Sequence, residues 1–189
     1  MKVMTIVLSL CLLLFASSGL TYDLIESFNV DQPSPSGSIY AYPANYAFRY
    51  LPAQDYLLYK IEIFAAGSEF FEDDVITLQV QTEDDDQPSG DVLATVDTPV
   101  VDGDLYWAGS DFAEPIELTG GGQYWVIYFP MAFSPVGYAI EGDMFETMWS
   151  GDQVHWDPVN PIAWKVKFWG ELIVATDNAT WSGVKSLYR

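Results

Sequence analysis

The sequence predicts an all-β protein: a single antiparallel β-sandwich, jelly-roll-like, with a short helical tail at its C-terminus. Three observations lead there. Segments such as Val75 to Thr82 alternate apolar and polar side chains, the period-two signature of a half-buried strand. Gly, Pro, Asp and Ser interrupt the chain at roughly 8–12-residue spacing, as turns do between short strands. Apolar residues almost nowhere repeat with the helical period of about 3.6.

The N-terminus has its own pattern. Lys2 is followed by a nearly unbroken apolar run from Val3 to Phe15, and then by the small residues Ala16, Ser17 and Ser18. A basic start, an apolar run and small residues before a cut are the parts of a secretory signal, expected here over 1–18. The run is about 13 residues, and a membrane span needs roughly 20. Lipidation at Cys11 does not fit, because bulky Leu10 precedes it inside the apolar run. Cys11 is the only cysteine, so the exported chain of 171 residues is expected to hold no disulfide. That length suits one domain with a sizeable core.

Residues 19–37 read as a lead-in, because Gln32-Pro33-Ser34-Pro35-Ser36-Gly37 is linker chemistry. The sandwich is expected over 38–174. Tyr56 to Phe64 reads as a strand with Leu57, Tyr59, Ile61 and Ile63 on one face, and Lys60 and Glu62 on the other. In Val75 to Thr82 the apolar face is Ile76, Leu78 and Val80. Val92–Val96, Leu105–Ala108 and Ile116–Leu118 are further short candidates. Tyr124 to Phe129 is apolar on both faces, as a central strand must be. Tyr138–Ile140 and Met144–Trp149 follow. Pro161 to Val174 closes the set, with Trp164, Val166 and Phe168 opposite Lys165 and Lys167. In the tail, 175–189, Trp181, Val184 and Leu187 share a helical face that Thr180 would cap.

Between residues 78 and 129 the order of residues becomes specific. The acidic stretch Glu83-Asp84-Asp85-Asp86 runs into Gln87-Pro88-Ser89-Gly90, and a strand resumes at Val92. Trp107, Phe112, Pro115, Leu118, Gly121 and Gly122 then precede Tyr124-Trp125. This order resembles the secreted modules called choice-of-anchor domains, over about residues 38–172. In them an acidic D-D-x-x-P-S-G-x-x-L-A hairpin is followed by W-x-x-x-F-x-x-P-x-x-L-x-x-G-x-x-Y-W. The resemblance implies a jelly-roll-like sandwich on extracellular proteins of bacteria or archaea, usually joined to a surface anchor, with no catalytic residues. The chain shows neither a cell-wall sorting motif nor a C-terminal apolar span of the usual anchoring kind.

Charge narrows the partners. Loss of Lys2 with the signal leaves six basic against 27 acidic residues, a net of −21. Nucleic acid is excluded as an expected partner, since binding rests on neutralising phosphates. Anionic membrane surfaces are excluded on the same ground, and no membrane span is expected after signal removal. Such a charge serves solubility outside the cell, or cation binding.

Two candidate sites follow. Calcium takes six to eight oxygen ligands, largely from loop carboxylates. The loop Asp84, Asp85, Asp86 is the place for it, although Pro88 occupies what would be the fifth ligand position. Glu69, Glu72, Asp73 and Asp74 form a second acidic group at the far end of the same strand. The alternative is a solvated acidic hairpin. Trp149 and Trp156 flank Ser150-Gly151-Asp152, so exposed rings could stack on a sugar while Asp152 bonds a hydroxyl. The alternative is that both rings plug the core. Trp107, Trp125 and Trp164 are expected in the core. His155, the only histidine, reads as a loop residue without partners for zinc or triad chemistry. The functional expectation is a non-catalytic extracellular module in adhesion or structure, meeting a polysaccharide or a cell-surface protein. A carbohydrate-binding module is the alternative, and a glycan hydrolase with paired carboxylates the remote one.

Overall fold

A computed structural model describes residues 22–34, 39–40, 45–67, 74–130 and 135–174. Among them the chain is all β, in two antiparallel sheets packed face to face. The strands are β1 (Asp23–Phe28), β2 (Ile39–Tyr40), β3 (Asn45–Tyr50), β4 (Tyr56–Ala65), β5 (Asp74–Asp84), β6 (Gln87–Val100) and β7 (Tyr106–Ala108). They continue with β8 (Asp111–Leu118), β9 (Tyr124–Pro130), β10 (Pro135–Val136), β11 (Tyr138–Ala139), β12 (Phe145–Ser150), β13 (Asp157–Trp164) and β14 (Val166–Leu172). The helical tail and its Trp181, Val184 and Leu187 lie outside the described residues.

Sheet I runs β1-β14-β4-β10-β2, and β8 and β7 take the edge of β4 opposite β14. Sheet II runs β11-β13-β12-β3-β9-β5-β6. β9 sits near its middle, between β3 and β5, and this explains why Tyr124 to Phe129 is apolar on both faces. Val126 and Tyr128 point into the sandwich, while Trp125 and Ile127 are buried on the outer side with Ala47 and Met148.

The interior is filled from both sheets. Phe48, Ile76, Leu78 and Val80 of sheet II meet Leu58, Ile61, Leu118 and Phe168 of sheet I, all of them buried. Each such side chain contributes about 1.5–3 kcal/mol on burial. Tyr50 stacks on Phe168 across the gap, with centroids 3.9 Å apart and planes 8° apart. The Tyr50 hydroxyl donates to Glu26 at 3.0 Å and lies 2.8 Å from the Tyr56 hydroxyl. Burial foremost, then these neighbours, pushes the Tyr50 hydroxyl far above its ordinary range. Trp164 is a core residue as expected; its indole N–H donates to Thr147 at 3.1 Å.

Four expectations need correction. First, the buried face of β4 is Tyr56, Leu58, Ile61, Ile63 and Ala65, with Leu57 and Tyr59 on the other side. The register slips between Leu58 and Lys60, so Tyr59 is the extra residue of a β-bulge, and the alternation changes phase there. Second, Pro161 to Val174 is two strands. β13 belongs to sheet II and β14 to sheet I, and Lys165 is the crossover. Trp164, Val166 and Phe168 still share a direction, because both sheets turn that face inward. Third, the lead-in contains β1, which pairs with β14, and Asn29 ties its end to the rest. Asn29 Nδ2 donates to the carbonyls of Asp143 and Trp164, each at 2.9 Å, and Oδ1 accepts from Asp143 N at 2.8 Å. Fourth, Trp107 is not in the core, whereas Trp125 is buried as expected. Trp125 is fully buried, but on the outer face of sheet II, and Trp107 is half-buried on the outer face of sheet I.

Candidate functional site

The carbohydrate candidates sit where β12 turns into β13. Trp149 lies opposite Tyr46 of β3 and Asp157 of β13, and at 38 % exposure its ring reaches solvent. Trp156 is half-buried and packs on the outer cluster with Met148. Trp149 follows Met148 in β12, so the pleat turns it to the opposite side. The two rings therefore do not form one stacking platform.

Asp152 organises its own loop. Its Oδ1 accepts from Val154 N at 2.9 Å, from His155 N at 2.8 Å and from the Ser150 hydroxyl at 3.2 Å. Its Oδ2 lies 2.7 Å from His155 Nδ1. These bonds, the His155 amide first, hold the Asp152 carboxyl well below the ordinary carboxylate range. The Asp152 carboxylate in turn raises His155 above its ordinary value of 6.5. His155 is an exposed loop residue, and among the described residues it has one carboxylate partner and no nucleophile bonded to it.

The calcium candidates form the tip of the β5–β6 hairpin. Asp84 pairs with Gln87, and Asp85 and Asp86 are the two turn residues, with φ of 52° and 62°. Two successive positive φ values define the mirror-image turn that matches strand twist. The turn thus lies at Asp85-Asp86, while Pro88 and Gly90 belong to β6. Arg49 Nη2 donates to Asp86 Oδ1 at 2.9 Å. Arg49 also meets Glu146 at 2.9 Å and Glu83 at 3.7 Å, and its guanidinium lies 5.1 Å from the Trp125 ring centre. Among the described residues no three His, Cys, Asp or Glu side chains converge as a metal site would require. Asp74 is a buried strand residue, while Glu69, Glu72 and Asp73 lie outside the described residues.

Arg49 was not singled out from the sequence. The signal was there: Tyr46, Phe48 and Tyr50 alternate with Ala47 and Arg49, so a lone cation stands on the outer face of a strand. It borders an open cleft of about 500 Å³ at the end of the sandwich, lined by Phe28, Arg49, Leu51, Asp143, Met144 and Glu146, among others. Leu51 and Met144 are more than half exposed there. The described lining contains no serine, threonine, cysteine or histidine. The cleft presents apolar surface beside carboxylates.

No protein-family model matches this chain, and no curated protein matches it. Among the described residues no helix is long and apolar enough to cross a membrane.

Proposed function

We propose that the chain is a non-catalytic extracellular β-sandwich module that works by surface contact, in adhesion or assembly at a cell surface. One observation carries the reading: three of the candidate site residues are already engaged in the fold. Asp152 closes its own loop, Asp86 pairs with Arg49, and Trp156 packs on the outer cluster. The signal pattern of residues 1–18 supports export, and the choice-of-anchor likeness supports a surface setting.

The test is retention of the protein from residue 19 onward on cell-wall preparations and insoluble polysaccharides, with calcium and with chelator. Retention by at least one cell-surface preparation, without turnover of it, is the expected result. Hydrolysis of a glycan would overturn the reading. Retention on a neutral polysaccharide that is lost in Trp149→Ala would move the carbohydrate alternative to first place, with Trp149 acting without Trp156. Loss in chelator would place calcium at the Asp84–Asp86 turn or the undescribed acidic group.

A further inference from the structure

An open sheet ends in strands whose outer main-chain groups have no neighbour to bond, and such an edge can accept a further strand. Most edges of this sandwich are blunted. β2, β7 and β11 are only two or three residues long. β1 slips register between Leu24 and Glu26, and β8 is irregular around Pro115, which has no N–H to offer. β6 differs. It is the longest strand among the described residues, at 14 residues; it ends sheet II, and there it pairs with β5 alone.

The hairpin fixes which way its peptide groups point. Asp84 and Gln87 flank a two-residue turn, so they form a hydrogen-bonded pair, and every second residue of β5 then faces β6. Val80, Leu78 and Ile76 are therefore the bonded partners of Ala94, Val96 and Thr98. Between them, Thr95, Asp97 and Pro99 turn their peptide groups away from β5, to the open side. Pro99 agrees, since a proline sits in a sheet where its missing N–H would have faced outward. The side chains of Thr95 and Asp97 are anchored on the outer face, where Gln79 donates to Thr95 at 3.1 Å and Thr77 donates to Asp97 at 2.6 Å. Their main-chain N–H and C=O groups are left as a free ladder among the described residues. The ladder is short. Leu93 is the extra residue of a bulge at one end, and Pro99 stops it at the other. Residues 94–98 have room for one short strand.

A cleft of about 350 Å³ lies between β6 and β8, lined by Leu93, Ala94, Phe112, Pro115, Ile116 and Glu114, among others. A strand added beside β6 would send alternate side chains to this inner side, and the rest to the outer face beside Asp97. Every charged residue of β6 and β8 is acidic: Asp91, Asp97, Asp111, Glu114 and Glu117, all exposed. Neither strand carries the lysine that commonly guards an edge.

We propose that the free edge of β6 takes up an extended segment of a partner protein as an added strand, with apolar side chains in the cleft at alternate positions and lysines or arginines between them. The proposal rests on the surface-module reading and names the class of partner. Main-chain bonds hold the segment, while the cleft and the acidic flanks select its side chains. A second copy of this chain is the poorer occupant. Two β6 strands side by side would bring like carboxylates together on molecules of net charge −20.

The experiment is an NMR titration of the isotope-labelled protein with the end-blocked peptide Lys-Val-Lys-Val-Lys-Val-Lys. Amide shifts centred on Thr95 and Asp97, with slower hydrogen exchange at both, are expected. The same peptide with N-methylated backbone amides keeps its charge but cannot donate to a strand, and it should bind on the order of tenfold more weakly or worse. The counterpart Glu-Val-Glu-Val-Glu-Val-Glu should not bind. Thr95→Pro removes an outward N–H and should abolish the response, whereas Thr95→Val should keep it. Equal binding of the N-methylated peptide would reveal attraction by charge alone and overturn the proposal, as would shifts centred elsewhere. Equal binding of the glutamate peptide would overturn the basic partner. Self-association through the same amides, seen in sedimentation velocity, would put a second copy on the edge and overturn the foreign segment. The peptide comparisons use the unaltered protein, so they decide the matter even if Thr95→Pro fails to fold. No response to the lysine peptide, with retention on cell-surface preparations intact, overturns the edge proposal alone. Peptide binding alongside hydrolysis of a glycan would overturn the module reading and leave the edge proposal standing.

Discussion

Asp152 and Asn29 show how single polar residues fix the ends of this sandwich. The Asp152–His155 pair is solvent-exposed, so its contribution is local, but its sign can be worked out. The His155 pKa is raised, so its share of the pairing is complete below the ordinary 6.5 and fades as pH rises through the raised value. The Asp152 pKa is lowered, so its share is present above the ordinary 3.8 and fades as pH falls through the lowered value. The loop is held by an ion pair between those limits. An NMR titration of the His155 ring should give a midpoint above 6.5 that returns toward it in Asp152→Asn. An unshifted midpoint in the parent would count against the pairing. Asn29 makes three hydrogen bonds, one buried and two part-buried, at a φ of 56°. Asn29→Ala should lower stability by roughly 2–3 kcal/mol in urea unfolding. Asn29→Gly, which keeps the backbone easy, should lose less. The neighbouring Gly142 is needed for the same contact, since a Cβ there would sit 2.1 Å from Asn29 Oδ1.

The element scale is governed by two interruptions of regularity. The Tyr59 bulge decides which side chains of β4 face the core. The Asp85-Asp86 turn decides where the long hairpin reverses. Asp86 has a φ of 62° and an exposed ion pair with Arg49. In Asp86→Gly the relief of backbone cost, about 1 kcal/mol, offsets a pair worth less than about 1 kcal/mol, so stability should stay within about 0.5 kcal/mol of the parent. Asp86→Ala loses the pair and keeps an unfavourable φ, so it should fall about 1 kcal/mol below Asp86→Gly. Equal urea midpoints for the two variants would show that the turn does not hold this conformation in solution.

At the scale of the whole molecule, self-repulsion opposes folding. With 27 acidic residues against 7 basic ones, the folded state concentrates like charges that the unfolded chain spreads out. Raising NaCl from about 10 mM to about 500 mM should therefore raise the melting temperature. A flat or falling profile would mean that the carboxylates are already neutralised locally, as Glu62 and Asp86 are. The buried core provides the counterweight, and it is unusually aromatic. Trp164 touches Tyr46, Phe48 and Tyr128, so Trp164→Ala should cost about 3–5 kcal/mol, read from the shift in urea midpoint.

What the sequence by itself determined was the class of fold and the inward residues of the regular strands. Ile76, Leu78 and Val80 of β5, and the two-faced apolar run of β9, were legible because a pleated backbone enforces a period of two. β3 carries the same alternation, and β1 is a short edge strand beside linker-like residues; neither was picked out. The phase of β4 was not legible, because one bulge residue inverts every position beyond it and carries no compositional mark. The division of Pro161 to Val174 between two sheets was hidden for a related reason: inward alternation continues unchanged across the Lys165 crossover. The candidate sites fared the same way. Nearness in sequence brought Trp149, Asp152 and Trp156 together, but the pleat and the loop's own hydrogen bonds sent them to different tasks. Arg49 and its three carboxylates come from strands far apart in the chain. Only strand pairing in three dimensions makes them neighbours, because lateral order in a sheet is set by long-range hydrogen bonding and not by local sequence.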